Sequence, residues 1–297
     1  MQKSIIARIS GGGLDSSKLL ARILGVNSAD GGNRAAVTSG STKRTGALYY
    51  TAHYPKFGFT LAEVLITLGI IGIVAAMTLP SLVQSHKEKQ TVAQLKKFYS
   101  TISNAMLLAY NEHGPLEDWG IVDGGSSEEE YAEGNAFKNK FIYNLKPYLN
   151  ILSFCEFGNS SCEKEPYSMK SLDGTIHTLA GVKFLPHLVL ADGSTINHLW
   201  FSKASQYGEI YVDLNGAKAP NTLGIDIFVF GIFENKLIPY GLTHIDKFKQ
   251  FRFENLCSLK VKNRMNGYGC AAWVIFEENM QYLKCNDLSF NGKKKCK

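Results

Sequence analysis

Lys56–Val83 reads KFGFTLAEVLITLGIIGIVAAMTLPSLV, and the fold turns on how it is read. From Phe59 to Leu79 run 21 almost wholly apolar residues. At about 1.5 Å per residue, a helix of that length crosses a bilayer core of roughly 30 Å. Three features separate it from an ordinary membrane helix. Glu63 places a carboxylate inside it. The Gly58-Phe59 junction stands at its head, with Lys56 just before. Pro80 closes the apolar run, yet the helical pattern continues beyond it.

The run Gly58-Phe59-Thr60-Leu61-Ala62-Glu63-Val64-Leu65-Ile66 resembles the processing signal of type IV prepilins and of type II secretion pseudopilins. The resemblance implies a cut between Gly58 and Phe59 by a prepilin peptidase, followed by N-methylation of Phe59. It implies a removed cytoplasmic leader over residues 1–58, longer than the short basic leaders usual in the family. Glu63 becomes the fifth residue of the mature chain, and Pro80 falls at the family's helix-bending proline. The implied partners are the peptidase, other pilin or pseudopilin subunits met through the N-terminal helix, the inner-membrane assembly machinery and the membrane itself.

The physics of Glu63 agrees with that reading. A carboxylate deep in hydrocarbon costs about 2.5–3.5 kcal/mol on insertion scales, so such groups usually have a partner. Its own helix offers no cation on that face. The resemblance implies the free amine of a neighbouring subunit's Phe59 as that cation. The plainer reading is that Glu63, near the membrane edge, reaches the headgroups unaided.

Charge is distributed unevenly. The formal balance of the chain is +6. Residues 1–58 hold eight Lys/Arg and two Asp, and the remainder holds 24 of each sign. The whole excess lies ahead of the span, the positive-inside pattern, with the leader in the cytoplasm and the rest exported. A near-neutral mature chain gives no support to nucleic-acid binding. Cys155, Cys162, Cys257, Cys270, Cys285 and Cys296 all follow the span, without a CxxC pair. An even count on the exported side reads as disulfides rather than a metal site, with connectivity open to several pairings. Cys155 and Cys162 bracket a small loop that a local bridge would close, which leaves the other four to pair among themselves.

The chain then divides into a helix over 59–113, transmembrane at 59–80, and a globular head over 114–297 whose cysteine-rich tail starts near 245. In Ser81–His113, Val92, Leu95, Tyr99, Ile102, Met106 and Ala109 step by three and four as one apolar stripe, stopped by Gly114-Pro115. Pro80 should kink or loosen the rod without ending it. Residues 114–135 read as an acidic, solvated loop, and 136–152 as a short helix. Strands are expected at Leu188–Ala191, Thr195–Phe201, Glu209–Leu214 and Ile225–Phe233, with hairpin turns at Asp192-Gly193 and Asn215-Gly216. Cys270–Leu283 reads as an amphipathic helix with Trp273, Phe276, Met280 and Leu283 on one side, and Lys293-Lys294-Lys295 as a solvated charge run. The expected fold class is α+β: a long N-terminal helix packed on an antiparallel sheet, pilin-like, with a disulfide-rich tail.

No catalytic constellation and no cofactor motif stands out. Ser10–Ser16 is faintly similar to the phosphate loop of ATP pyrophosphatases, with one residue too many. His177, His187, His198 and His244 are scattered. Asp213, Asn215, Asn221 and Asp226 are oxygen ligands in a loop similar to one recurrent in pseudopilin-like proteins; Asx turns account for them better than calcium. Two functions therefore compete. The first is a structural subunit, minor pilin or pseudopilin, moving from the inner membrane into a filament. The second is an exported ligand-binding module or enzyme that uses the helix only as a tether.

Overall fold

The computed structural model describes residues 58–122, 128–159, 168–177, 187–242 and 246–296. Residues 1–57, with the leader and Ser10–Ser16, lie outside these, as do Cys162 and His244. From Thr60 onward the chain makes one unit. It begins with helix α1, Leu61–His113, of 53 residues. At 1.5 Å per residue the rod is about 80 Å long. It runs unbroken through Pro80, which removes one amide donor without ending the helix. Gly114 stops it at φ +77°, a conformation that side chains with a Cβ rarely adopt.

The stripe is buried as its spacing predicts. Val92, Leu95, Ile102, Met106 and Ala109 are buried, joined by Phe98 and Ala105. Tyr99 lies at the stripe's margin, partly buried and stacked on Phe230 at 6.0 Å. Each large apolar side chain removed from water here contributes about 1.5–3 kcal/mol.

The next segment corrects the reading of 114–135. Leu116–Trp119 is a 3-10 turn that buries Trp119, and helix α2, Glu128–Leu145, starts well before position 136. Glu128-Glu129-Glu130 are its first turn, where carboxylates meet the positive end of the helix dipole. The acidic run is thus a helix start. The helix ends at Leu145 and passes into a 3-10 turn over Lys146-Pro147-Tyr148, in keeping with Pro147 as the residue that strains or ends it.

The strands are β1 (Ile151–Phe154), β2 (Met169–Lys170), β3 (Ile176–His177), β4 (Leu188–Leu190), β5 (Thr195–Ser202), β6 (Tyr207–Asp213), β7 (Ile227–Phe233) and β8 (Lys236–Pro239). Six form one antiparallel sheet in the order β1-β4-β5-β6-β7-β8; β2 and β3 pair separately. Asp192-Gly193 turns β4 into β5, its Asp192 carboxylate accepting the Ser194 amide and hydroxyl. Asn215-Gly216 does not make a hairpin: the whole stretch from Leu214 to Asp226 connects β6 to β7. The tight turn falls instead at Glu234-Asn235, both at positive φ, as a two-residue hairpin with the sheet's twist demands.

Ile210, Val212, Phe228, Phe230 and Ile232 point from the sheet into the α1 core. The opposite face is also covered. Tyr211, Val229 and Tyr240 pack there with Phe248, Phe251 and Tyr268 from the segment after the sheet. Burial on both faces explains why β7 is a continuous apolar run without alternation.

After Phe253–Leu256 (α3), the tail folds back as α4, Cys270–Phe276, against α1, β7 and β8. The expected helix to Leu283 ends at Phe276, which is half exposed rather than on the buried side. Asn279 takes over there, its side-chain oxygen accepting the Trp273 indole N–H at 2.9 Å and the Gln281 amide at 3.0 Å. Nor is the lysine run simply solvated: Lys294 pairs with Glu277 and lies over the Trp273 ring, while Lys293 pairs with Asp287.

Cys257 bonds to Cys270, and Cys285 to Cys296. Cys155 is also disulfide-bonded. The Cys257–Cys270 bridge ties α3 to α4 beneath buried Phe253 and Trp273, whose rings stack at 4.2 Å. Replacing both cysteines with alanine should lower head stability by about 2–5 kcal/mol. Thermal unfolding of the detergent-solubilised chain checks this; an unchanged midpoint would show that packing alone holds the tail.

Candidate assembly site

The head of α1 is built from Thr60-Leu61-Ala62-Glu63. Thr60 is extended, at φ −75° and ψ 150°, and caps the helix. Its hydroxyl accepts the Glu63 amide at 3.2 Å. In return the Glu63 carboxylate accepts the Thr60 amide and the Thr60 hydroxyl, each at 2.8 Å. This reciprocal capping box satisfies donors that the first helical turn leaves open. It also fixes the carboxylate at the positive end of the helix dipole. The sequence contained this signal, a Thr followed three residues later by Glu, which the search for a cation near Glu63 passed over.

Beyond the cap the helix presents bare apolar surface. Leu61 is 79% exposed, Ile71 63% and Leu82 67%, and burial begins only near Val92. This is a length and composition able to cross a membrane. Its hydroxyls are already satisfied: Thr67 donates to the Val64 carbonyl and Thr78 to the Val74 carbonyl. A helix with no free polar donor on that stretch suits hydrocarbon or other apolar helices.

Gly58 and Phe59 precede the helix without regular structure. A side chain added at Gly58 would meet nothing within 4 Å. Glycine there is not required by the fold.

Two family models match the chain. The prokaryotic N-terminal methylation motif matches residues 55–79, the prepilin-type signal of type IV pilins and pseudopilins. A family of unknown function, DUF6613, matches residues 81–272. The chain belongs to that family. No curated protein and no solved structure matches it. The motif supports a pilin-like or pseudopilin subunit and implies processing by a prepilin peptidase. With the long apolar helix, it fits a membrane-anchored protein.

The other expected site residues divide. Asp213, Asn215, Asn221 and Asp226 do come together, in the loop between β6 and β7. The Asp226 carboxylate accepts the Thr222 amide at 2.6 Å, the Asn221 amide at 2.9 Å and the Asn215 side-chain amide at 3.3 Å. Asp213 accepts the Asn215 amide at 3.0 Å. These N–H groups stand where a cation would need to approach, although the side-chain oxygens of Asn215 and Asn221 are buried without a protein partner. Among the described residues no three His, Cys, Asp or Glu side chains gather for a metal.

Among the described residues the histidines do not converge on a catalytic group. His187 stacks on Phe157 at 4.0 Å, and His198 stands edge-on to Tyr211. Burial, with Lys138 and His187 nearby, holds the His198 pKa down to about 3. The unfolded chain, near 6.5, binds this proton first, so stability is full above pH 6.5 and falls toward pH 3. Between pH 6 and 5 this group should remove at most about 1.4 kcal/mol per pH unit. Melting curves at stepped pH should show His198→Gln flattening that slope; an unaltered slope would place the acid sensitivity elsewhere.

Proposed function

We propose that this chain is a minor or accessory pilin-like subunit, cut between Gly58 and Phe59, methylated at Phe59 and assembled through α1. The carrying observation is the methylation motif running directly into one 53-residue helix, bare in its first half and burying one apolar stripe in its second. Such a helix rests in the inner membrane with the head exported, then packs against other pilin-type helices in a filament. Pro80 loosens the rod where apolar surface gives way to polar. The head is a large, disulfide-stapled body, more elaborate than a repeating shaft subunit needs, which favours an accessory position.

Crosslinking in cells that contain the peptidase tests this reading. The mature chain should appear in adducts with pilin-type subunits, and these should disappear when the peptidase is removed. A cleaved chain that stays monomeric would overturn it. The capping box favours one second reading, a membrane-tethered module, because Thr60 already gives Glu63 local partners.

A further inference from the structure

The face of the sheet turned away from α1 carries an aromatic layer around one carboxylate. Tyr207, Glu209 and Tyr211 alternate onto this face of β6. Trp200 of β5 lies directly opposite Glu209 in the register, and Gly231 of β7 lies on its other side. A Cβ at Gly231 would stand 2.7 Å from Phe248 and 2.9 Å from Tyr240. The glycine therefore lets both rings close over the sheet. The Tyr240 hydroxyl then donates to Glu209 Oε1 at 2.7 Å. Trp200 and Tyr207 meet edge to face at 5.2 Å, and Phe251 packs on Tyr268 at 5.9 Å. Trp200, Tyr207, Phe251 and Tyr268, with His198 beside them, line a pocket of about 370 Å³ with Glu209 in its wall.

Nothing the pilin-type function uses explains this pocket. Among the described residues no Lys, Arg or His lies within ion-pair distance of Glu209, although burial raises its pKa and disfavours the bare charge. Lys247 is near, but its ammonium sits over the Tyr207 ring at 5.4 Å instead. Aromatic rings have electron-rich faces, and the Glu209 carboxylate among them regains its negative charge once a cation is there to balance it. That combination attracts a cation too weakly hydrated to resist losing water, and the volume is within the range of small-ligand sites.

We propose that this pocket binds a quaternary ammonium group, held by the faces of Trp200 and Tyr207 and by the charge of Glu209. The rings take the N-methyl groups, whose partial positive charge spreads over the surface of the ion. Glu209 balances that charge without a hydrogen bond, which a quaternary nitrogen cannot donate. Tyr240 orients the carboxylate from behind.

Fluorescence titration of the full chain in maltoside micelles tests this. Trp119 and Trp273 are buried in the α1 core, so Trp200 is the tryptophan at the pocket. Choline should give a saturable change. Its uncharged isostere 3,3-dimethylbutan-1-ol should bind at least about tenfold more weakly. Glu209→Gln, and separately Tyr207→Leu, should each weaken choline by a similar factor with the melting temperature kept. Tyr207 makes no hydrogen bond to Glu209 among the described contacts, so its variant remains informative if Glu209→Gln misfolds. Glycerophosphocholine binding as tightly as choline would assign the site to a lipid headgroup, and much weaker binding would assign it to a free cation. Equal affinity for the uncharged isostere, no saturation with choline, or unaffected binding in a folded Tyr207→Leu would overturn the proposal.

Discussion

In cells that contain a prepilin peptidase, the chain extracted from membranes should begin at Phe59 and be one methyl group heavier than the unmodified sequence from that residue. With Gly58→Val the leader stays attached. The size of this effect follows from the surroundings of Gly58. Among the described residues a side chain there meets nothing within 4 Å, so valine leaves their packing unchanged. The loss falls entirely on the peptidase, whose site would have to accept a stiff β-branched side chain where glycine presents only backbone. Intact mass of the purified chain reads both outcomes. Wild-type protein that keeps its leader in the presence of the peptidase would remove the basis for assembly. Cleaved Gly58→Val would show that the junction is recognised through other residues.

How far the sequence disclosed this molecule depended on how local each signal was. The α1 stripe from Val92 to Ala109 was legible because its period is set by the helix itself. The β4–β5 hairpin was legible because Asp192-Gly193 dictates its turn. Asn215-Gly216 carries the same local signal, yet the chain there is held by Asp226 eleven residues on, which no local rule weighs. Glu128-Glu129-Glu130 looked like solvent-exposed loop because polarity was read without the helix-start meaning of clustered acids. Strands β1 and β8 are only four residues each and gain their identity from pairing. At the candidate site, the methylation motif that spans Gly58, Phe59 and Glu63 was legible in the sequence. The aromatic layer around Glu209 was not, since it joins β5 and β6 to Tyr240, Phe251 and Tyr268 far along the chain.

Glu63→Gln should insert, be cut and fold its disulfide-bonded head, but be taken into filaments more than about a hundredfold less than wild type. The capping box makes this substitution decisive. Glutamine at the third helical position keeps the reciprocal cap with Thr60, because its side-chain oxygen still accepts the Thr60 amide. Only the charge is lost. Once helices leave lipid and pack on one another, a carboxylate at that depth is desolvated and needs a cation, and the amine exposed by cleavage at Phe59 is the one the proposed function supplies. Breaking one partner of such a pair costs on the order of 3–5 kcal/mol, which sets the hundredfold figure. Glu63→Ala loses charge and cap together, at a further cost of about 0.5–2 kcal/mol in the helix start. Wild-type and variant subunits expressed at equal levels and recovered by shearing or crosslinking give the ratio directly. If Glu63→Gln enters filaments as well as wild type while Glu63→Ala does not, Glu63 serves the cap and not the neighbour. Entry of both variants at wild-type levels would leave α1 as a tether and make the exported module the better description of the protein.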